Sequence, residues 1–350
     1  MPKRAKKIET AEYGTMKKKS PFAGPELTVL EICAGAGGQA LGLERAGFHT
    51  VAAVEVDQSA CETLRLNRPS WNVICADLKE FDARPFAGVD LLAGGVPCPP
   101  FSLASKQLGG ADERDLFPTA LRLISETMPK AVLLENVRGL ATSKFSDYRT
   151  NILRSLDALG YDASWELIFS SNFGVPQLRP RFILVALLKT FGKKFVFPSS
   201  LNEKITVGDA LKDLMAADGW GGVDQWVQKA QGVAPTIVGG SKKHGGADLG
   251  PTRAKREWLS LGVDGKGIAN EAPSQFDADD HLPRLTNRMV ARIQGFPDEW
   301  KFAGRKTSIY RQIGNAFPPP VAESVGRQIA RVLLNLPIQN DAEQREIEFL

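Results

Sequence analysis

A cysteine set among prolines, Pro97-Cys98-Pro99-Pro100, follows the apolar run 89–93 and the pair Gly94-Gly95. The run reads as a strand, so the thiol sits on a stiff loop at a strand's end. There proline fixes φ, and open α/β sheets collect their ligands. A free cysteine is more often an apolar filler than a reagent; three further stretches weigh against that reading. Glu135-Asn136-Val137 ends the apolar run 131–134 and brings a carboxyl to the same sheet edge. Alone, such a carboxylate is equally well explained as a cap or an ion-pair partner. Gln177-Leu178-Arg179-Pro180-Arg181 opens the run 182–187 with two guanidinium groups two residues apart. That spacing puts both on one side of an extended segment, suited to an anion or a carbonyl. Last, the segment 310–320, with Gly314-Asn315-Ala316 and three prolines, reads as a loop braced to start a helix through Val321, Val325, Ile329 and Leu333.

The elements that must position these groups alternate between strand and helix. Residues 27–32 form a strand-type run, followed by the turn Ala34-Gly35-Ala36-Gly37-Gly38 and an amphipathic helix through Leu41, Leu43 and Ala46. Strands are predicted again at 51–54, 73–75, 89–93, 131–134 and 182–187, with helical spacing between several of them. A doubly wound, mainly parallel α/β sheet is the economical fold. Gly35-x-Gly37-x-x-Ala40 with Glu55 about 20 residues on matches the relaxed dinucleotide fingerprint. Both a nicotinamide cofactor and S-adenosylmethionine fit such a turn, and glycine-rich turns also occur for packing alone.

Composition sets the broad class. The 350 residues are 43% hydrophobic and 24% charged, as in ordinary globular proteins, with room for two domains. Cys33, Cys61, Cys75 and Cys98 lie in the first third without C-x-x-C spacing, so neither a disulfide framework nor a metal site is expected, and a reducing cytoplasm is. No apolar stretch approaches the roughly 20 residues of a membrane span. A net charge of +4 and a pI near 8.8 fit a polyanion partner without establishing one.

In their order, Glu31 to Gly38, Glu55, Asp77, Gly95-Val96-Pro97-Cys98, Glu135-Asn136-Val137, Gln177-x-Arg179-x-Arg181, 284–297 and Gly314-Asn315-Ala316 resemble the motifs of the DNA cytosine-5 methyltransferases, the prokaryotic restriction-modification type most closely. The resemblance implies a Rossmann-like methyltransferase sheet with a second, smaller, irregular DNA-recognition domain. It also implies methyl transfer from S-adenosylmethionine to carbon 5 of a cytosine flipped out of duplex DNA. Cys98 would be the nucleophile at carbon 6. Glu135 would supply a proton or hydrogen bond at ring N3 from a carboxyl of raised pKa, and Arg179 and Arg181 would stabilise O2 and the thiolate. For the cofactor the resemblance implies Cys33, Gly35, Gly37 and Gly38 around the methionine part, Glu55 at the ribose, and Asp77 at the adenine amino group. Gly95, Pro97 and Leu116 would belong to the same site, and Asn315 and Ala316 would close it. Val56 and Leu78 are apolar walls or plain core. The chain departs from the family's usual Phe at Cys33, Gln at Pro99 and Ser at Ala316.

Ser102, Ser105, Lys106 and Gln107 fall in a polar, glycine-containing stretch read as a loop closing over the target base, or as an ordinary surface loop. Between about 189 and 282 the alternation stops. Lys242, Lys243, His244, Arg253, Lys255 and Arg256 there form a basic cluster suited to phosphates and guanine edges, while Trp220, Trp226 and Trp258 read as core. The expected division is a basic disordered arm at 1–24, a catalytic and cofactor-binding domain at 25–189, a target-recognition domain at 190–300, a return segment at 301–336 and a tail at 337–350. Four rival readings explain less of the sequence. A tRNA cytosine-5 methyltransferase is disfavoured by the long basic insert. A nicotinamide oxidoreductase leaves Cys98, Glu135 and the arginines without a shared purpose, and a silent DNA-binding protein leaves the nucleophile unexplained. A cysteine hydrolase would need His49, His244 or His281 in the strand-end motifs, where none lies. The expected setting is the bacterial cytoplasm at the nucleoid, as a monomer on double-stranded DNA, off the membrane, with a restriction endonuclease as functional counterpart.

Overall fold

A computed structural model describes residues 22, 24–97, 115–192, 195–201, 204–240 and 246–337. Cys98, Ser102, Ser105, Lys106, Gln107, Lys242, Lys243 and His244, with the arm before Phe22 and the tail after Pro337, lie outside them.

Seven strands form one sheet in the order β3-β2-β1-β4-β5-β7-β6. They are β1 (Leu27–Ile32), β2 (Phe48–Glu55), β3 (Val73–Cys75), β4 (Leu91–Gly95), β5 (Ala131–Val137), β6 (Tyr161–Phe169) and β7 (Pro180–Leu188). The first five run parallel, linked through α1 (Gly38–Arg45), α2 (Gln58–Asn67) and α3 (Phe117–Thr127). The chain reverses its course across the sheet between the neighbours β1 and β4, and open sheets place ligands in the crevice at such a point. Their carboxyl ends lead into Cys33-Gly35 and Val96-Pro97, the two turns that carry the sequence motifs.

The expectation of a mainly parallel sheet holds for these five strands. The pair at one edge differs: β7 is antiparallel to both β5 and β6, and β6, preceded by α4 (Ser146–Ala158), had no place in the sequence reading. Its alternation of Asp162, Ser164 and Glu166 with Ala163, Trp165 and Leu167 is that of an edge strand. The direction of β7 has a consequence for the site. Its first residues stand at the edge where β5 ends, pairing Arg181 with Val137 and Ile183 with Glu135.

Period-2 alternation splits the sheet's side chains between two layers. Leu30 and Ile32 of β1 pack with Leu123, Ile124 and Leu156 of α3 and α4, while Leu27 and Val29 face Leu43 of α1 and Val321, Val325 and Ile329 of α10 (Pro319–Leu333). The stripe on α10 recurs every four residues, as one helix face must. A third apolar group gathers α5 (Val207–Ala216), α6 (Val223–Lys229), α7 (Thr252–Ser260), α8 (Asn287–Ile293) and α9 (Lys306–Asn315) around Trp226, Trp258 and Met289. It runs without a break into Ala34, Leu41, Leu64 and Trp71 beside α1 and α2. Trp220, Trp226 and Trp258 are all buried, as core residues should be.

The segment around Tyr310 corrects the sequence reading. It is the last part of α9, with Tyr310 and Ile313 fully buried, and the break falls at Ala316–Pro318. Pro319 and Pro320 then occupy the first turn of α10, where a missing N–H leaves no bond unmade.

Candidate active site

On the cofactor side, Cys33, Gly35 and Gly37 all take positive φ, so the chain turns sharply out of β1. Glu55 fastens this turn to the end of β2. Its Oε2 accepts Gly35 N–H at 2.8 Å, and its Oε1 accepts Val56 N–H at 2.9 Å and Asp57 N–H at 2.8 Å. Three of the roughly four acceptor positions of a carboxylate are thereby filled, leaving room for one hydroxyl. The three glycines divide their work. Among the described residues a side chain on Gly35 would meet nothing within 4 Å, so this backbone is open on their side. On Gly37 it would strike Trp300 at 2.9 Å and Leu64 at 2.7 Å, and on Gly38 the carbonyl of Phe317 at 2.4 Å. Packing of the returning chain thus explains Gly37 and Gly38. Asp77 is exposed, its carboxylate accepting Lys79 N–H, and Leu78 is buried among the core. Val56 is 68% exposed, which removes the core reading for it.

On the catalytic side, Gly95 of β4 stands opposite Glu135 of β5, with Oε2 of Glu135 at 3.4 Å from the place of a Gly95 side chain. Glu135 is 9% exposed, and its Oε1 lies 2.5 Å from Nε of Arg181, an ion pair with both side chains nearly buried. Burial lowers the pKa of Arg181 and Glu135 opposes that shift, and the contact fixes the orientation of both side chains. Asn136, in the quoted triplet but unassigned from sequence, donates Nδ2–H to Val96 O at 2.8 Å. Leu116 N–H donates to Pro97 O at 3.2 Å. The departure and return of segment 98–114 are therefore fixed beside each other. Cys98 is three residues beyond Gly95, at most about 11 Å of chain. Burial pushes the Cys33 thiol up, and burial with a hydrogen bond to Cys75 pushes Cys61 up to about 12. Neither offers a thiolate near neutrality.

The two arginines part company. Arg179 has φ +22, which breaks the extended geometry that would have aligned it with Arg181. It is fully buried, donating Nη1–H to Ile237 O at 2.9 Å and Nη2–H to Ala316 O at 2.8 Å. Two residues that lie in the quoted motifs but were given no role complete this cluster. Gln177 Oε1 accepts Ile237 N–H at 2.8 Å, its Nε2 donates to Gln294 Oε1 at 2.7 Å, and Gln294 Nε2 donates to Ala316 O at 2.6 Å. Their motif positions were the only signal. Asn315 is exposed, with Nδ2 donating to Gly240 O at 3.2 Å, and Ala316 lies against the start of α1. Of the basic cluster, Arg253 and Arg256 are exposed on α7, Arg253 pairing with Glu257 along the helix. Lys255 is instead drawn to Asp248 at 2.8 Å.

The fold just described has counterparts among solved structures. A search of solved structures finds a DNA modification methyltransferase encoded within an E. coli prophage, with TM-score 0.63 and 25% identity over 88% of this chain and 99% of that one. Spodoptera frugiperda DNMT2 shares the fold with TM-score 0.62 at 17% identity, over 87% and 99% of the two chains. Among curated proteins, the Type II methyltransferase M.NaeI of Lentzea aerocolonigenes is 58% identical over 89% of this chain and 76% of its own length. M.NgoMIV of Neisseria gonorrhoeae is 54% identical over 88% and 98%. The family model for C-5 cytosine-specific DNA methylase matches residues 27–331, from the first strand into the last helix, and the chain belongs to that family.

Proposed function

We propose that the chain methylates carbon 5 of a cytosine extruded from a specific duplex site, through a transient bond between Cys98 and carbon 6, and that it protects host DNA in a restriction-modification system. The observation that carries the reading is the Glu135–Arg181 pair beside the exit of β4, three residues before Cys98. The Cys98 thiolate adds to carbon 6, opening the 5,6 double bond while the Glu135 carboxyl supplies a proton or hydrogen bond to ring N3, and Arg181 holds Glu135 while presenting its guanidinium to the pyrimidine carbonyl; once carbon 5 carries the methyl group, loss of its proton to a base and departure of the Cys98 thiolate restore the double bond. Arg179, with both terminal nitrogens engaged by backbone carbonyls, braces this edge without touching substrate.

The open backbone at Gly35, the remaining acceptor position on Glu55 and the exposed Asp77 fit S-adenosylmethionine. When bound, it supplies an electrophilic methyl group. The helices within 190–300 serve target recognition, with Arg253 and Arg256 facing phosphates.

The test is incubation of the full chain with methyl donor and a duplex bearing 5-fluorocytosine at the target, the target first being mapped by bisulfite sequencing. A denaturant-resistant adduct on Cys98, lost in Cys98→Ala, is expected. Methyl transfer by Cys98→Ala at the wild-type rate would overturn the proposal.

A further inference from the structure

Trp300 lies in the connector between α8 and α9, is 5% exposed, and has no part in the chemistry above. Its indole Nε1–H donates to Ala36 O at 3.1 Å, and its ring fills the room that Gly37 leaves. The cofactor turn is therefore gripped from two sides, by Glu55 through Gly35 N–H and by Trp300 through Ala36 O.

The connector is itself fastened to α2. Asn67 donates Nδ2–H to Lys301 O at 2.6 Å and accepts Lys301 N–H at 2.9 Å. Thr63 Oγ1 accepts Ala303 N–H at 2.9 Å and donates to Gln312 Oε1 at 2.6 Å. Arg68, held by Glu44, lays its guanidinium 5.1 Å from the Trp300 ring centroid and 5.8 Å from that of Trp71. The indole plane is thus fixed by protein groups alone. A ligand meeting a turn already in place avoids the cost of ordering it.

We propose that Trp300 is a positioning residue for S-adenosylmethionine: it holds Ala36 and Gly37 in the conformation the cofactor needs. The inference rests on the cofactor site proposed above. The catalytic edge at Glu135 is braced separately, through Asn136 and Arg181, so loss of the indole N–H weakens cofactor binding and spares turnover at saturation.

Trp300→Phe keeps a ring and removes the donor. Calorimetric titration of the full chain with S-adenosylmethionine is expected to show about tenfold weaker binding, with KM for the cofactor rising in step and kcat and KM for DNA staying within about twofold. Asn67→Ala, which frees the Lys301 backbone without touching the turn, is expected to give the same selective rise at smaller size, and serves if Trp300→Phe does not fold. Unchanged affinity in both variants, or equal losses in kcat and in both KM values, would overturn the proposal. Failure of the wild-type chain to bind S-adenosylmethionine would instead overturn the cofactor assignment on which it stands.

Discussion

Replacing Arg179 by lysine separates bracing from chemistry. The guanidinium reaches Ile237 O and Ala316 O at once, and a lysine nitrogen has no planar fork to do so. Ala316 O keeps the amide of Gln294, so the larger loss falls on Ile237 O, which is buried. An unsatisfied buried carbonyl costs about 1–3 kcal/mol, and the second lost bond adds about 1 kcal/mol. Burial, and next the charge of Arg181, already hold the Arg179 pKa well below its ordinary value, so a lysine there would shed its proton more readily and bond more weakly. A net destabilisation of about 3 kcal/mol is expected. With a urea m-value of about 3 kcal/mol/M, the unfolding midpoint falls by about 1 M. Urea titration followed by tryptophan fluorescence measures this, beside methyl transfer at saturating substrates. Arg179→Lys is expected to lose stability and to retain much of its turnover below the transition, and Arg181→Lys to do the reverse. A wild-type midpoint together with abolished turnover in Arg179→Lys would refute the argument, placing that guanidinium on the substrate.

Glu31 carries a pH prediction. It is fully buried, neither carboxyl oxygen has a hydrogen-bond partner among the described residues, and burial raises its pKa from 4.5 to about 8. The folded state then binds a proton that the unfolded chain has released. Stability therefore falls as pH rises from about 4.5 to about 8 and levels off above that, by several kcal/mol at about 1.36 kcal/mol per pKa unit. Glu31→Gln cannot ionise and should flatten the fall, seen as converging urea midpoints at pH 5 and pH 8.5; parallel curves for both proteins would dismiss Glu31 as the source. For Gly38→Ala, whose new methyl would press on the Phe317 carbonyl, a loss of about 1–3 kcal/mol is expected. An unshifted thermal midpoint would show that the returning chain yields there freely.

The parallel half of the sheet was legible because each buried strand is a short apolar run and each turn is marked by glycine or by an acidic residue at a strand end. β6 was not, since Asp162, Ser164 and Glu166 interrupt its apolar residues as an edge strand's solvent face does. The motif residues were recognisable by type, but their partners were not. Whether a guanidinium meets Glu135 or two backbone carbonyls turns on one dihedral angle at Arg179, and no spacing rule anticipates a φ of +22 in a bulky residue. Likewise Gln294 and Trp300 act on residues far away in sequence, and only tertiary packing joins them to Ala316 and Ala36.

Among the described residues, the first helix is packed by the last. Gly38, which opens α1, touches the Phe317 carbonyl, and Leu43 lies in one apolar layer with Val321 and Val325. Such closure joins sequence neighbourhoods far apart, so its loop-closure entropy must be met before its contacts stabilise the fold. Without α10 in place the glycine turn has no floor. The glycine turn and the seat of α10 are therefore one construction: whatever loosens that helix withdraws support from Gly38 at the mouth of the cofactor turn.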